Sequence, residues 1–267
     1  MNTSESSSDA GQITVTHTRG GRVATVLIDR PGKLNALTLE LLDDLYSALR
    51  AIDHSDAQVV LITTAGEKAF CVGADVAQFS RFSPAQMWRR WIREGHRVFN
   101  YLAQLRQPTI AVVDGIAFGG GLELALACDL RIGASTARLG LPETGLGTTP
   151  GWGGTERLTH VVGAARAKEM IFARRQVPSV TALDWGLLNA ISERTMLAGT
   201  VTEFIDRILE GAPAAVQVSK QLVDAAAAGA PSAVLEALGS GFTAGTDDFT
   251  AGITAFDNKS TPTFTGS

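Results

Sequence analysis

The chain has 267 residues, of which 45% are hydrophobic and 19% charged, and its net charge is −4. This composition is typical of a globular protein, and the acidic balance leaves no basic surface for nucleic acid. The longest apolar runs, VATVLI and TIAVV, are too short to span a bilayer, so no membrane partner is expected. Cys71 and Cys128 lie in apolar segments and are expected to be buried thiols, which fits a reducing, cytoplasmic compartment.

The N-terminal half alternates between strand and helix patterns. Residues 1–11 are polar and are expected to form a disordered tail without a signal sequence. ITVTH and VATVLID predict two strands joined by the turn RGGR, and Thr38 is a predicted N-cap. QVVLITTAG (58–66) predicts a strand that is buried on both faces. Between Thr38 and this strand, five apolar residues recur at helical spacing and predict a helix: Leu41, Leu42, Leu45, Leu49 and Ile52.

The second half predicts further alternation and then helices alone. Residues 79–107 predict a mobile loop followed by a helix, and PTIAVVDG (108–115) predicts a buried strand. A strand is predicted at 129–135, and helices at 155–173 and 180–191. The remaining chain is helical, with breaks at Pro213 and Pro231. The sequence therefore predicts an α/β core over 12–195 and a helical region over 196–267.

Two glutamates and a glycine cluster stand out within this pattern. Gly119, Gly120 and Gly121 open a short helix that is apolar except for Glu123. A carboxylate on such a helix costs free energy unless it is paired, hydrogen-bonded or protonated, which makes it a candidate functional group. Glu143 follows 20 residues later in the turn-like segment LPETGLG. By themselves, these features also fit a tight glycine turn, an outward-facing Glu123 and a solvated loop glutamate.

Four segments resemble the hallmark segments of the enoyl-CoA hydratase/isomerase (crotonase) superfamily. They are DRPGKLNAL, VVLITTAGEKAFCVGADV, PTIAVVDGIAFGGGLELALACDLRIG and LPETGLGTTPGWGGTERL, in the order and spacing of the family. The C-terminal DFTAGITAFDNKSTPTF resembles its closing segment, so the likeness runs from about residue 13 to 264. It implies a crotonase-like spiral of repeated ββα units, with a helical C-terminal region used in oligomerisation.

The resemblance also implies a chemistry and its partners. The substrate would be an acyl-CoA thioester, handled without a metal or other cofactor by a homotrimer or a hexamer, in fatty-acid metabolism such as β-oxidation. The amides of Ala74 and Gly120 would form an oxyanion hole that stabilises a thioester enolate. Glu123 and Glu143 match the two glutamates that hold one water in the hydratases of the family. When two carboxyl groups share a site, the pKa of one rises and the pKa of the other falls, which provides an acid and a base.

The resemblance further assigns residues to the two ends of the substrate. Lys259 matches a lysine that contacts CoA phosphate in relatives, but Ser260 stands where an arginine is usual and AGITAF lacks a common glutamate. An exposed lysine near the chain end is the alternative. The remaining residues assigned to CoA and the thioester are Lys33, Leu34, Ala36, Ala74, Asp75, Val76, Ala77 and Gly120. The acyl group would meet bulky side chains, which equally fit ordinary helix packing: Phe79, Phe82, Met87, Trp88, Trp91 and Trp152.

We therefore predict an enoyl-CoA hydratase that adds water across the 2,3 double bond of a 2-enoyl-CoA. Bulky residues at the acyl end would favour short, cyclic or aromatic acyl groups. The alternatives are another crotonase-type reaction (isomerisation, decarboxylation or hydrolysis of a β-diketone) and a non-catalytic acyl-CoA binder. A dinucleotide-binding dehydrogenase is disfavoured, because residues 119–121 lack the G-x-G-x-x-G spacing.

Overall fold

The computed structural model describes residues 10–267, so most of the predicted tail at 1–11 lies outside the described residues. The chain forms two compact units. The first unit extends to Leu105 and resumes from Thr109 to Val201, and the second comprises Arg106–Pro108 and Thr202–Ser267. Among the helices of residues 10–267, none is both long and apolar enough to cross a membrane.

The larger of two sheets in the first unit has six strands in the order β1-β2-β3-β5-β7-β10. The hairpin β1–β2 is antiparallel, as RGGR predicts, and every other pair in this sheet is parallel. Strands β3 and β5 are almost entirely buried, as their apolar runs predict. The six strands are β1 (Gln12–Thr18), β2 (Val23–Asp29), β3 (Val59–Thr64), β5 (Thr109–Val113), β7 (Leu130–Ala134) and β10 (Ala190–Ser192).

The smaller sheet has four strands in the order β4-β6-β8-β9. The pairs β4–β6 and β6–β8 are parallel, and β9 closes the sheet antiparallel to β8. The strands are β4 (Ala69–Cys71), β6 (Ile116–Phe118), β8 (Arg138–Gly140) and β9 (Val177–Pro178). Each of the first three follows a strand of the larger sheet and precedes helical structure, so the chain repeats a ββα unit three times. The α/β prediction is confirmed by this alternation.

Helix α1 (Leu39–Asp53) packs an apolar face into the core of the first unit. Its side chains Leu41, Leu42, Leu45, Leu49 and Ile52 are all buried, as the helical spacing predicts. Thr38 is the predicted N-cap, and its hydroxyl accepts a hydrogen bond from the amide of Leu41 at 3.2 Å. The face of α1 therefore anchors the helix to the sheets by apolar burial.

Several sequence predictions are wrong in detail. Residues 79–107 do not begin with a long loop, because α2 (Val76–Phe79) ends at residue 79 and is soon followed by α3 (Pro84–Gln86). A π-helical turn over Met87–Trp91 then leads directly into α4 (Ile92–Ala103). Ser83 and Gln86 form a capping box at α3 that this segment's aromatic content does not reveal. The short strands β4 and β6 also escape the periodicity, since three residues carry no alternation.

The chain after β8 is helical except for β9 and β10. The predicted helix at 155–173 is two helices, α6 (Gly154–Val162) and α7 (Ala164–Phe172), separated at Gly163. The predicted helix at 180–191 ends early, because α8 (Ser179–Asp184) terminates before Gly186 at φ 74°, and the following residues lead into β10.

The second unit contains only helices among its secondary-structure elements. The helical pattern is predicted to break at Pro213, and a new helix begins at this residue. Proline is tolerated there because the first helical turn does not need its missing N–H. The helices from residue 197 onward are α9 (Leu197–Leu209), α10 (Pro213–Ala227), α11 (Ser232–Ala244) and α12 (Asp247–Asp257). Their large apolar side chains that remain exposed are Val223, Val234, Leu238, Phe242, Phe249, Ile253 and Phe256.

Candidate active site

The C-terminal ends of three neighbouring parallel strands deliver the candidate residues to one place. Residues 72–74 follow β4, Gly119 follows β6 and begins α5 (Gly120–Leu126), and Glu143 lies just after β8. Strands β4, β6 and β8 lie side by side in the smaller sheet, so these segments meet at the same sheet edge. Loops at such an edge are a common location for ligand sites in α/β proteins.

The backbone around Ala74 leaves its amide directed away from the neighbouring segment. Leu37 forms an isolated parallel bridge with Ala74, donating to the carbonyl of Gly73 at 2.7 Å and accepting from the amide of Asp75 at 2.8 Å. In this parallel bridge, Leu37 hydrogen-bonds to the two residues on either side of Ala74. The N–H of Ala74 therefore points away from Leu37. Within residues 10–267 it has no hydrogen-bond acceptor.

The amide of Gly120 is also without an acceptor in the described part of the chain, because it lies in the first turn of α5. Gly73 has a φ of 97°, and a Cβ there would lie 2.7 Å from the amide nitrogen of Gly120. A Cβ on Gly120 would lie 2.6 Å from Cζ3 of Trp152. The glycines therefore let the segment before Ala74 approach the start of α5, so two unsatisfied amides lie close together.

Glu123 lies on α5 with its side chain inside the protein, and the residue is only 2% exposed. Its Oε1 accepts hydrogen bonds from the amides of Trp152 and Gly154, both at 2.8 Å. Burial raises the pKa of the Glu123 carboxyl group, whereas these two amides and the nearby Arg157 oppose that rise. The carboxyl group is thus held in one orientation by backbone donors.

Glu143 begins a 3₁₀ turn over Glu143–Leu146 and lies in a different environment. Both of its carboxyl oxygens are buried, and neither has a hydrogen-bond partner among the described residues. Burial raises the pKa of Glu143 to about 7, and the charge of Glu123 adds to the rise. A Cβ on Gly119 would lie 3.1 Å from Oε1 of Glu143, which places this carboxyl group beside the start of α5.

One cavity of about 100 Å³ brings these groups together. Both glutamates line it, together with Ala74 and Gly120. A cavity this small is well below the roughly 300–1,000 Å³ of sites for drug-sized ligands, so it holds a small group at a time. The other lining residues are Val72, Val76, Phe79, Met87, Trp91, Ile92, Gly119, Pro142, Leu146, Thr148, Thr149, Gly151 and Trp152.

The structure brings four of the six predicted acyl-end residues to this cavity. Phe79, Met87, Trp91 and Trp152 line it, whereas Phe82 packs behind Trp91 with ring centroids 5.7 Å apart. Trp88 does not line the cavity and is 70% exposed, since the π-helical turn directs Met87 and Trp91 inward instead.

Trp152 forms the buried end of the cavity. Its ring lies 5.3 Å from that of Trp91 and 5.4 Å from that of Phe99, between centroids. Its indole Nε1 donates to the carbonyl of Trp91 at 3.3 Å, and a Cβ on Gly95 would collide with the indole. Packing from α4 therefore fixes the ring against the Gly120 end of α5.

The predicted CoA residues separate into different environments. Ala74, Val76 and Gly120 line the cavity, whereas Ala36 is buried outside it. Asp75 has a structural role, because it caps α2 through the amide of Gln78 at 3.0 Å and pairs with Arg30 at 2.7 Å. Although burial alone would raise the pKa of Asp75, Arg30 and the backbone amides hold it below its usual value.

The remaining predicted CoA residues lie outside the cavity. Lys33 and Ala77 are exposed, and Leu34 adopts a φ of 51° and lines a separate surface groove with Lys68. Lys259 is exposed just after α12 in the second unit.

The sequence did not predict the residues that support Glu123 or the close approach of Gly73 to Gly120. Gly154 and the amide of Trp152 hold Glu123, and Gly73 provides the close approach to Gly120. The only signal was the pattern PGWGG, whose glycines permit a backbone that turns its amides inward.

The family model for enoyl-CoA hydratase/isomerase matches residues 18–267. The chain belongs to the enoyl-CoA hydratase/isomerase family. The predicted family is thereby confirmed.

Individual relatives in the enoyl-CoA hydratase/isomerase family agree with the family match. The short-chain-enoyl-CoA hydratase of Clostridium acetobutylicum is 42% identical over 205 residues, which cover 76% of this chain and 78% of that protein. The crotonyl-CoA hydratase of Syntrophomonas wolfei is 38% identical, over 74% of this chain and 76% of that protein. The crystal structure of an enoyl-CoA hydratase from Bacillus anthracis superposes with a TM-score of 0.91 at 34% identity, covering 96% of this chain and all of that one. The crotonase-like fold is thereby confirmed.

Proposed function

We propose that this protein is an enoyl-CoA hydratase that converts a 2-enoyl-CoA reversibly into the 3-hydroxyacyl-CoA. The observation that carries the proposal is one small cavity lined by two carboxyl groups and by two residues whose amides have no acceptor in the described chain. The names of the relatives from Clostridium acetobutylicum and Syntrophomonas wolfei support the same reaction.

The amides of Ala74 and Gly120 would bind the thioester oxygen. When water adds at C3, electron density moves through C2 onto this oxygen, and an enolate forms. Two preorganised N–H donors stabilise that charge without reorganisation, and each typically contributes about 10²–10³ in rate. The position of Gly120 in the first turn of α5 supports this role, because N–H groups at a helix start are free to donate.

The two carboxyl groups would divide the proton transfers. Glu123 receives two amide hydrogen bonds and lies near Arg157, which favours its ionised form as the base for water. Glu143 lacks such donors and has a pKa of about 7, which favours its protonated form as the acid. Glu123 takes one proton from water as its oxygen bonds to C3, and Glu143 gives its proton to C2. A proton then passes from Glu123 to Glu143, which restores the starting pair.

The cavity supports a short acyl group as the substrate. Its volume of about 100 Å³ and its aromatic lining favour a short enoyl chain. The acyl chain would be enclosed by Phe79, Met87, Trp91 and Trp152. Residues 33–36 and 74–77 would flank the CoA part of the substrate. Lys259 is exposed, and its charge would meet a CoA phosphate that is bound by a neighbouring subunit of the oligomer.

The reaction needs no resident metal or cofactor, because water supplies the added atoms and the amides stabilise the enolate charge. We further propose a homotrimer or a hexamer, supported by the exposed apolar side chains of α10 to α12. A cytoplasmic location is supported by two buried cysteines that form no disulfide. Fatty-acid breakdown is a setting in which 2-enoyl-CoA would be supplied.

The test is an assay with crotonyl-CoA that follows the loss of enoyl-thioester absorbance and identifies the product. Formation of 3-hydroxybutyryl-CoA supports the proposal. Formation of a shifted double bond instead would point to an isomerase, and unmodified substrate that nevertheless binds would point to an acyl-CoA binder.

A further inference from the structure

Arg157 lies on α6 and contacts the segment that holds Glu123. Its guanidinium donates from Nη1 to the carbonyl oxygen of Trp152 at 3.1 Å, and from Nη2 to Oδ1 of Asn100 on α4 at 2.6 Å. The side chain therefore links the backbone before α6 to a neighbouring helix. Arg157 is only partly buried, and it does not itself line the cavity.

The backbone between Trp152 and α6 is shaped to admit the guanidinium. Gly153 has a φ of 100°, in the left-handed region that favours glycine. A Cβ on Gly153 would collide with Nη1 of Arg157. Gly154 is equally constrained on the other side, because a Cβ there would lie 2.8 Å from Cγ of Glu123. The segment is thus packed between Arg157 and Glu123 and has no space for a side chain at either glycine.

Residues 152–154 contact Glu123 on one side and Arg157 on the other. Their amides at Trp152 and Gly154 bind Oε1 of Glu123, while the carbonyl of Trp152 binds Arg157. Rotation of this backbone would lengthen both amide contacts together, since both donors belong to one short segment. Catalytic side chains need this kind of secondary support to keep their geometry.

We propose that Arg157 is a positioning residue that holds residues 152–154 in the conformation in which their amides bind Glu123. Asn100 orients the guanidinium, and Gly153 gives it access to the carbonyl of Trp152. The effect on turnover rests on the proposed hydratase function, whereas the effect on Glu123 itself does not.

The charges around Glu123 agree with this arrangement. Arg157 is the nearby positive charge that acts on Glu123, and Glu143 lies across the cavity. Glu156, Cys128 and, from α4, His96 interact with Arg157 itself. Burial lowers the pKa of Arg157, but Glu156 and Glu123 oppose that change, and the guanidinium remains charged. Loss of Arg157 would remove a positive charge and disturb two amide donors, and both changes favour the protonated form of Glu123.

The experiment compares Arg157→Gln and Arg157→Lys with wild type, and uses Arg50→Gln, an exposed arginine of α1, as a matched control. Steady-state kinetics with crotonyl-CoA give kcat and KM. The titration of Glu123 is read separately by NMR of ¹³C-carboxyl-labelled glutamate in the Glu143→Gln background. The Glu123 signal is the one that disappears in Glu123→Gln.

We expect Arg157→Gln to lower kcat by about 10²-fold with little change in KM, because a misplaced catalytic group costs turnover more than binding. The Glu123 signal should titrate at higher pH in Arg157→Gln and at an intermediate pH in Arg157→Lys, which keeps the charge but not the forked geometry. If the glutamine variant does not fold, the lysine variant decides by the same titration.

A Glu123 titration that stays at its wild-type pH in the folded variants would overturn the proposal, whatever the activity. A wild-type protein without hydratase activity would overturn the proposed function, and the titration would still decide the role of Arg157.

Discussion

Glu123 and Glu143 line one cavity, yet only Glu123 is held by backbone amides. Two N–H groups at 2.8 Å bind one oxygen of Glu123, whereas both oxygens of Glu143 are buried without a partner among the described residues. Burial raises the pKa of both carboxyl groups, but amide donors and Arg157 oppose that rise at Glu123. In the proposed mechanism the shared proton therefore lies on Glu143. Under this proposal, the different backbone around each glutamate makes one of them the acid and the other the base.

The proton shared by the pair predicts the pH dependence of catalysis. The active pair carries one proton, so kcat/KM should fall as the pH rises above about 7, where Glu143 ionises. Hydration exchanges no net proton with solvent, and the profiles for hydration and dehydration must therefore coincide. The measurement is kcat/KM from pH 5 to 9 in both directions. A flat profile through pH 7 would contradict the shared-proton pair.

The raised pKa of Glu143 also predicts a pH dependence of stability. Its folded-state pKa of about 7 exceeds the ordinary value of 4.5, so its contribution is fully present below pH 4.5 and is lost as the pH rises through 7. Glu143→Gln removes this titration. Between pH 5 and 8, the unfolding free energy of wild type should fall relative to the variant by ~2 kcal/mol, allowing for partial solvent screening. Urea unfolding at several pH values measures the difference, and parallel curves would refute it.

The close approach of Gly73 to Gly120 predicts a substitution that disturbs the two amides. In Gly73→Ala, the added Cβ would meet the Gly120 nitrogen at 2.7 Å and push the segments apart. We expect kcat to fall by about 10²–10³, as when one oxyanion donor is lost. Gly186→Ala is the control, because Gly186 has a similar positive φ of 74° but nothing within 4 Å of its Cβ position. Equal loss of kcat in both variants would attribute the effect to backbone strain alone.

The indole of Trp152 predicts the limit on acyl length. Trp152→Leu should enlarge the buried end of the cavity and raise the ratio of kcat/KM for 2-octenoyl-CoA to that for crotonyl-CoA by about tenfold or more. Phe82→Leu is the matched control, because Phe82 belongs to the same aromatic cluster but does not line the cavity. An unchanged ratio in Trp152→Leu would mean that the acyl chain does not reach this residue.

Long, periodic elements were predictable from the sequence, and short ones were not. Helix α1 was predicted with its N-cap at Thr38 and its buried leucines, because one apolar face recurs over four turns. Strands β4 and β6 were missed, since three residues set by tertiary pairing contain no periodic signal.

The two glutamates that meet in the cavity were predictable from the sequence, but the residues that support Glu123 were not. Glu123 could be selected because it is the one acid on an apolar helix, and Glu143 only through the family resemblance. Asp75 was assigned to CoA, whereas its side chain is engaged by Arg30, a partner 45 residues away in sequence that no local pattern reveals. The amide donors to Glu123 depend on the backbone conformation at Gly153, which side-chain types do not specify.

Hydration of crotonyl-CoA by wild type, Glu123→Gln and Glu143→Gln tests the central claim most directly. Each variant keeps the side-chain shape but removes one proton-transfer group. The account predicts that each single variant loses about 10²–10⁴ in kcat with little change in KM, and that the double variant is scarcely worse than either. Wild-type turnover in either single variant would contradict the division of proton transfer between Glu123 and Glu143.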